Sequence, residues 1–329
     1  MLHAYALTDG QPQLITETTS QGALARAAWI DLVNATDQER NLVEAATGGS
    51  LPSQAEISEI ELSSRLATRH GILYMNMPII SMTDHGNTPT GISIGFVLQE
   101  DRLITLRFAP SRIFDLYAER LVNRDTSAST PPHVFLGLME AIVDRQADGL
   151  EYVRDELEKI SRSIFAMGTA TGGGGRKNED RLLKRILGDL GRLGDLISHI
   201  RDTQTSAARI VPYVESRAPW MPTDLHGRLE MLRQDISSVS EFDTHLNDKT
   251  QFLLDATLGF INIAQNNVMK VMAIASVVGI PPVLIAGIYG MNFKNMPEYD
   301  WAWGYQWGWA LIILTTLIPL AVFRWRKWI

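Results

Sequence analysis

Two uncharged apolar runs near the C-terminus constrain this chain more than any other feature of its sequence. Residues 271–291 and 302–323 contain no charged side chain. Each run has the roughly 20 residues that a helix needs to cross a bilayer core about 30 Å thick. Only residues 292–301 separate the two runs. The sequence therefore predicts two membrane-spanning helices in a tight hairpin, with both outer ends on the same side of the membrane.

The charges that flank the apolar runs predict the orientation of the chain. Basic residues lie at the outer ends of the runs, at Lys270, Arg324, Arg326 and Lys327. Short segments rich in Lys and Arg remain in the cytoplasm. We therefore expect a multi-pass protein of the bacterial inner membrane with both termini in the cytoplasm and the connecting loop outside. Six of the eight tryptophans lie in the last 29 residues, beside or within the second run, as in an interfacial aromatic belt: Trp301, Trp303, Trp307, Trp309, Trp325 and Trp328.

Residues 1–128 predict a small α/β domain with a mixed or mainly antiparallel sheet. Short β-rich runs, several of them bounded by turn residues, occur at 4–7, 28–33, 72–80, 93–98 and 103–108. Helices are predicted between them at 37–46, 53–60 and 111–122. The first residues lack a basic start followed by an apolar core, so we expect no signal peptide.

Long helices are predicted from Pro131 onward. Residues 133–165 and 180–211 are apolar at helical spacing, and a glycine-rich stretch at 168–175 joins them. This pattern predicts an antiparallel helical hairpin. No strand precedes the glycines and no Gly-Lys-Ser/Thr follows them, which argues against a nucleotide-binding loop.

A third helical stretch begins after Pro222 and continues into the first apolar run. If it reaches Asn292 it has about 70 residues and a length of about 105 Å. One stripe at seven-residue spacing is apolar: Leu232, Val239, Leu246, Leu253 and Phe260. A second stripe, about 200° away on the helix, carries Glu241, Asp248 and Asp255 and becomes small and apolar within the membrane. This second stripe fits either helices gathered around a wet axis or a solvent-exposed helix face.

The segment Tyr289-Gly290-Met291-Asn292 ends the first apolar run. Phe293 and then Met296-Pro297-Glu298 follow it, and the chain finishes with Lys327-Trp328-Ile329. This arrangement closely resembles the CorA family of divalent-cation (magnesium) channels and transporters. The likeness continues through residues 259–263 and 29–33. It implies a CorA-like funnel assembled as a homopentamer, in which an α/β cytoplasmic domain, a long-helix stalk and two C-terminal transmembrane helices follow one another.

The resemblance and the composition together predict seven regions. In chain order they are a cytoplasmic α/β domain at 1–128, a helical hairpin at 129–221, a stalk helix at 222–270, a pore-lining transmembrane helix at 271–292, a periplasmic loop at 293–301, a second transmembrane helix at 302–323 and a basic cytoplasmic tail at 324–329.

The resemblance implies that Gly290, Met291 and Asn292 form a selectivity filter. Mg²⁺ dehydrates reluctantly, so a ring of Asn292 amide oxygens would suit its water shell better than carboxylates would. Gly290 would permit a close approach or an unusual backbone angle. Without the family context, Asn292 is equally explained as a residue that ends a helix.

Residues deeper in the span are expected to line the pore, with Met269 and Met272 as a hydrophobic gate. Such a constriction closes by dewetting, although these methionines would also suit packing or contact with lipid. The expected pore-lining set is Asn266, Met269, Met272, Ser276, Ile280, Val283 and Gly287.

Regulatory metal sites are expected at carboxylates where neighbouring subunits meet. Asp255 matches the family's acidic pore ring in the stalk, and Glu59 falls near the family's domain-side carboxylate. The stalk-side position falls on or near Met231, beside Glu230 and Asp235. A methionine there departs from the family, and each of these acids is also explained as a solvated surface charge.

The predicted function is a Mg²⁺ channel, with Co²⁺ and Ni²⁺ as further candidate ions and Mg²⁺ as both cargo and regulator. A divalent ion gains about 4.6 kcal/mol per 100 mV of inside-negative potential, so influx requires no energy-coupling motif. The alternatives are a zinc-transporting relative and a non-conducting membrane-anchored metal sensor. We expect divalent cations, membrane lipids and further copies of the chain as partners, and no nucleic acid. The seven histidines are scattered and no nucleophile spacing is found, so we expect no enzyme.

Overall fold

The computed structural model describes the chain except residues 9, 10, 17, 19, 60, 62, 63, 82–89, 126, 127, 170–175, 293–295, 327 and 329. The chain divides into two compact units, Met1–Leu254 and Asp255–Ile329. The turns predicted at Asp9-Gly10 and at residues 85–87, and the glycine-rich tip of the hairpin, lie outside the described residues.

The first unit contains a seven-stranded sheet. Its strands are β1 Leu2–Thr8, β2 Gln11–Leu14, β3 Trp29–Val33, β4 Leu66–Arg69, β5 Ile72–Ser81, β6 Thr90–Leu98 and β7 Leu103–Arg107. Their spatial order is β2-β1-β3-β7-β6-β5-β4. β3 and β7 pair in parallel, and the other neighbouring strands pair antiparallel. The mixed, mainly antiparallel sheet is therefore confirmed, whereas the two edge strands β2 and β4 were not predicted.

Eight α-helices occur in the described part of the chain. They are α1 Gln21–Leu24, α2 Asp37–Thr47, α3 Gln54–Ile57, α4 Arg112–Val122, α5 Pro131–Thr169, α6 Arg176–Arg217, α7 Leu225–Tyr289 and α8 Gly304–Trp325. A 3₁₀ turn at Pro297–Asp300 precedes α8. Capping boxes start α2 at Thr36 with Glu39 and α3 at Ser53 with Glu56. The helix predicted at 53–60 ends at Ile57 and is only one turn long. Ile57 is its buried residue, and residues 58 and 59 after it are exposed.

Helices cover both faces of the sheet. On one face, α1, α2 and α3 contribute Leu24, Val43 and Ile57 to a core with Ile30 and Leu32. On the other face, α4, α5, α6 and α7 pack over a core that includes Trp29, Phe96, Phe114, Phe135 and Val211. Successive residues of a strand point to opposite faces. All five residues of β3 are therefore buried, because both of its faces are covered.

The two hairpin helices pack against each other and against α7. A side chain added at Gly149 of α5 would lie 3.1 Å from Ile200 of α6. In α7, Leu232, Leu246 and Leu253 are at most 2% exposed, and Val239 and Phe260 are half-buried. The predicted apolar stripe is therefore the face that α7 buries.

α7 is a single helix of 65 residues, about 98 Å long at 1.5 Å per residue. Its apolar C-terminal part and α8 are both long and apolar enough to cross a membrane. The helix contains Pro281 and Pro282 and ends at Tyr289, three residues before the predicted end at Asn292. Gly290, Met291 and Asn292 therefore follow the last helical residue, and the Gly290 amide still bonds back to the last turn of α7.

Candidate ion pathway

The predicted filter lies directly after the last turn of α7. The Gly290 amide donates to the Ala286 carbonyl at 3.0 Å, and the Met291 amide donates to the Ile288 carbonyl at 3.2 Å. All three filter residues are exposed. No described residue forms a hydrogen bond with the Asn292 side chain. Its amide oxygen is therefore available to a ligand.

Gly290 does not adopt the unusual backbone angle that its position predicted. Among the described glycines, positive φ occurs at Gly48 and Gly71. A Cβ at Gly290 would lie 3.2 Å from the Ala286 carbonyl oxygen, which is a tight contact with the group that the Gly290 amide already binds. Both groups near this position belong to the end of α7 itself, so the close approach expected at Gly290 stays a prediction.

The predicted pore-lining residues share one face of α7. At about 100° per residue, the set from Asn266 to Gly287 spans an arc of about 120°. Each of its members is exposed, including Met269 at 65% and Met272 at 61%. Val271 and Val277, outside the arc, are also exposed. The exposure of side chains in a single chain therefore does not distinguish the predicted pore face from the rest of the helix. The predicted pore face is defined only by the spacing of its residues along α7.

The part of α7 that precedes the apolar run has two opposite faces. Leu246, Thr250 and Leu253 are buried on one side, whereas Asp248 and Asp255 on the other side are exposed. These two acids lie on the same side of the helix wheel as Asn266, within about 20° of it. One face of α7 thus carries carboxylates, then an amide, and then small and apolar residues as it enters the candidate span.

An ion pair ties this helix to α6. Arg201 Nε donates to Asp243 Oδ2 at 2.7 Å, and the Asp243 side chain is 1% exposed. Burial raises the pKa of Asp243, while Arg201 acts in the opposite direction. Asp243 Oδ1 has no hydrogen-bond partner. Removing Arg201 would therefore leave a buried carboxylate without compensation.

The four predicted regulatory acids are not gathered into a metal site within one chain. Glu59 and Asp235 are exposed. Glu230 pairs with Arg233 at 2.7 Å and accepts a hydrogen bond from Gln234 at 3.2 Å, and these bonds lower the Glu230 pKa. No group of three or more His, Asp or Glu residues suited to a metal ion occurs among the described residues.

A buried polar pair was missed by reading the sequence. Arg107 of β7 binds Asp31 of β3 at 2.8 Å, and both side chains are 4% exposed. Arg107 also reaches Asp115 of α4 at 2.7 Å. Asp31 and Arg107 lie on strands that are distant in sequence but adjacent in the sheet, so only the β3–β7 pairing could have revealed them.

An α/β unit, a helix that runs unbroken into a candidate span, and a second span after a short loop define a two-span membrane protein with a large N-terminal portion. Residues 25–326 match the family described as CorA-like Mg²⁺ transporter protein. The chain belongs to this family, which consists of transporters and is not a class of enzymes.

Relatives match the chain over its whole length. The magnesium transport protein CorA of Escherichia coli is 31% identical over 331 residues, covering 100% of both chains. The protein of the same name from Salmonella typhimurium is equally similar, at 31% over 331 residues. The complete structure of the CorA magnesium transporter from Methanocaldococcus jannaschii superposes with a TM-score of 0.74 at 18% identity, covering 98% of this chain and 97% of that one. The last comparison supports the fold.

Proposed function

We propose that this chain is one subunit of a homopentameric channel through which the membrane potential drives Mg²⁺ into the cell. The protein would lie in the bacterial inner membrane with both termini in the cytoplasm. The observation that carries this proposal is the position of Asn292. Its free amide follows the end of α7, at one end of the face that runs from Asp255 to Gly287.

Asn292 would select the ion by binding its water shell. Mg²⁺ holds its waters tightly and tolerates few direct protein ligands. A ring of neutral amide oxygens can hydrogen-bond those waters without removing them. Gly290 and Met291 complete the filter, and Gly290 leaves room beside the Ala286 carbonyl for the chain to turn out of the helix.

Met269 and Met272 would form the gate. Both lie on the predicted pore face, one helical turn apart, and are 65% and 61% exposed in the single chain. Rings of such apolar side chains exclude water when they are close together, which stops conduction. Asn266 lies on the cytoplasmic side of this gate and would offer the ion a polar ring.

Cytoplasmic Mg²⁺ would regulate the channel through carboxylates contributed by neighbouring subunits. Asp255 and Glu59 are the exposed candidates. Glu230, already paired with Arg233, and Asp235 are weaker ones. Since the described part of one chain gathers no such metal group, this role requires the assembled oligomer. Asp255→Asn combined with Glu59→Gln should leave the channel conducting at Mg²⁺ concentrations that close the wild type.

Purified protein in liposomes tests this function. We expect an inside-negative potential to drive Mg²⁺ uptake that ATP does not alter. Competition among Mg²⁺, Co²⁺, Ni²⁺ and Zn²⁺ in one assay then identifies the ion. Preferential Zn²⁺ uptake would instead establish a zinc transporter. An oligomer that gains Mg²⁺-dependent protection from protease but shows no flux would be a metal sensor.

A further inference from the structure

A cavity lies where β3 and β7 end, and its lining residues are distant in sequence from the predicted pore residues. Its volume is about 730 Å³, within the range of small-molecule sites. β3 and β7 run parallel and end at this cavity. Its lining includes Val33, the last residue of β3, then Asn34 directly after it, and Pro110 after β7. Ligands of open α/β sheets bind at the carboxyl ends of parallel strands. The cavity therefore has the position of a binding site.

The Arg107 side chain, which lines the cavity, is held by hydrogen bonds within the protein. Arg107 Nη2 donates to Asp31 at 2.8 Å and to Asp115 at 2.7 Å, and Arg107 Nη1 reaches the Ser111 carbonyl at 3.4 Å. Asn34 adopts a φ of 45° and donates its amide to the Arg107 carbonyl at 2.9 Å. These bonds occupy the Arg107 guanidinium, so it is not free to bind an anion.

One mostly buried side chain of the cavity lining, Tyr5, presents a hydroxyl that has no partner among the described residues. Tyr5 is 7% exposed and its ring stacks on Trp29 at 4.6 Å, yet no described residue hydrogen-bonds its hydroxyl. Burial, with a smaller contribution from Asp31, raises the pKa of Tyr5 to about 12. The hydroxyl therefore remains protonated and can both donate and accept a hydrogen bond. The hydroxyl is therefore available to a ligand in the cavity, while the rest of the Tyr5 side chain is held by packing.

Two carboxylates of α4 line the cavity, and one of them, Asp115, already shares Arg107 with Asp31. Asp115 and Glu119 lie one turn apart on α4 and both line the cavity. Glu119 is exposed and has no ion-pair partner among the described residues. The terminal ammonium of Met1, which also lines the cavity, contacts the Val33 carbonyl at 2.7 Å and Glu39 at 3.4 Å. An additional positive charge would therefore stabilise the two carboxylates of α4.

We propose that this cavity binds a small organic ammonium ion with an apolar body. Glu119 and Asp115 would bind the ammonium group, and the Tyr5 hydroxyl would hydrogen-bond the ligand. Leu14 and Val122 supply apolar wall. A bare metal ion is a poorer occupant, because the described residues include no metal-binding group of three or more His, Asp or Glu side chains. The site goes beyond the proposed channel function and does not depend on it.

Isothermal titration calorimetry on the full-length protein in lipid nanodiscs tests the proposal. The probes are cyclohexylammonium, cyclohexanol and cyclohexanecarboxylate, which share a ring and differ in charge. We expect cyclohexylammonium to bind about tenfold more tightly than the other two, as an added charge-assisted hydrogen bond predicts. Glu119→Gln should weaken cyclohexylammonium about tenfold, and Tyr5→Phe should weaken it severalfold while retaining the stack on Trp29.

Glu151→Gln is the matched control, because Glu151 is an exposed acid of α5 outside the cavity. It should leave binding unchanged, and circular dichroism should give the same unfolding temperature for all variants. Equal binding of the three probes would overturn the proposal, as would equal affinity of Glu119→Gln and wild type. Glu119-dependent binding of Mg²⁺ alone would also overturn it, since the site would then belong to a metal ion.

Discussion

Arg201 of α6 holds Asp243 of α7 across 2.7 Å, and the carboxylate is 1% exposed while the guanidinium is 46% exposed. This pair joins the hairpin to the helix that continues into the first candidate span. Its two members are 42 positions apart in sequence. The ion pair therefore joins α6 to the part of α7 that precedes the apolar run.

Replacing Arg201 with Gln should destabilise the protein by about 2–3 kcal/mol at pH 7. Removing one partner of a buried pair costs about 3–5 kcal/mol, and the half-exposed guanidinium reduces that figure. Burial already raises the Asp243 pKa from about 3.8, and loss of Arg201 raises it further. The folded protein then prefers the protonated form of Asp243 more strongly than the unfolded chain does. The loss of stability is therefore complete above the raised pKa of the folded state, and it disappears as pH falls below the ordinary value of 3.8. Thermal unfolding between pH 4 and 7 measures this change.

The variant that combines Arg201→Gln with Asp243→Asn is the control for this pH dependence. It has no carboxylate at this position to titrate. Its stability relative to wild type should therefore lack the added pH-dependent loss seen with Arg201→Gln alone. Identical pH profiles for the single and the double variant would contradict the assignment.

Asp31→Asn should cost about 3 kcal/mol of unfolding free energy, because it leaves the Arg107 charge inadequately paired between two strands. Both side chains are 4% exposed. Asp115→Asn is the matched comparison, since Asp115 binds the same guanidinium but is 55% exposed. It should cost less than about 1 kcal/mol. Urea unfolding of both variants in detergent measures the difference, and equal losses would show that burial does not determine the strength of this network.

Two glycine-to-alanine substitutions in helices should change stability in opposite directions. A Cβ at Gly137 of α5 would lie 2.7 Å from Tyr117 Cε2 and 2.9 Å from Cζ, and Tyr117 is 5% exposed. Overpacking should make Gly137→Ala less stable by about 1–2 kcal/mol. Gly188 of α6 has nothing within 4 Å of its Cβ position, so alanine there should add up to about 1 kcal/mol. Thermal unfolding tests both changes, and stabilisation by Gly137→Ala would contradict the packing.

Met269→Ser should increase Mg²⁺ flux at high internal Mg²⁺, where the proposed gate is closed. A hydroxyl in the constriction retains water that a methionine ring excludes. Val268→Ser is the control, because Val268 is adjacent and 41% exposed but lies about 100° away on α7, outside the predicted pore face. Liposome flux at matched protein density measures both variants. Equal increases would place the gate elsewhere or show only loss of packing.

Periodicity explains which parts of the fold the sequence could predict. β3 and β7 are buried along their full length, and their apolar runs identified them as strands. The edge strand β4 is half-buried or exposed at every position, and β2 contains Pro12, so neither gives an alternating pattern. The long helix was predicted because its apolar stripe recurs every seven residues, and its early end at Tyr289 places Gly290 just outside it.

The candidate sites also differ in whether the sequence alone could predict them. The predicted pore face follows from spacing along one helix, which is a local property. The Arg201–Asp243 and Arg107–Asp31 pairs and the cavity beside Tyr5 depend on which elements meet, and residues far apart in sequence supply them. The proposed metal role of Glu59 and Asp255 depends on contacts between subunits, which the pattern of one chain does not contain.

Mg²⁺ uptake by liposomes that carry the Asn292→Ala variant tests the central claim most directly. With an inside-negative potential, the wild type should take up Mg²⁺ steadily, and Asn292→Ala should reduce the initial rate at least about tenfold, because hydrogen bonds to a charged hydrated ion are lost. Asn267→Ala, an exposed amide outside the predicted pore face, should remain close to wild type. Unchanged uptake by Asn292→Ala, with the oligomer intact, would contradict the assignment of Asn292 as the selecting residue.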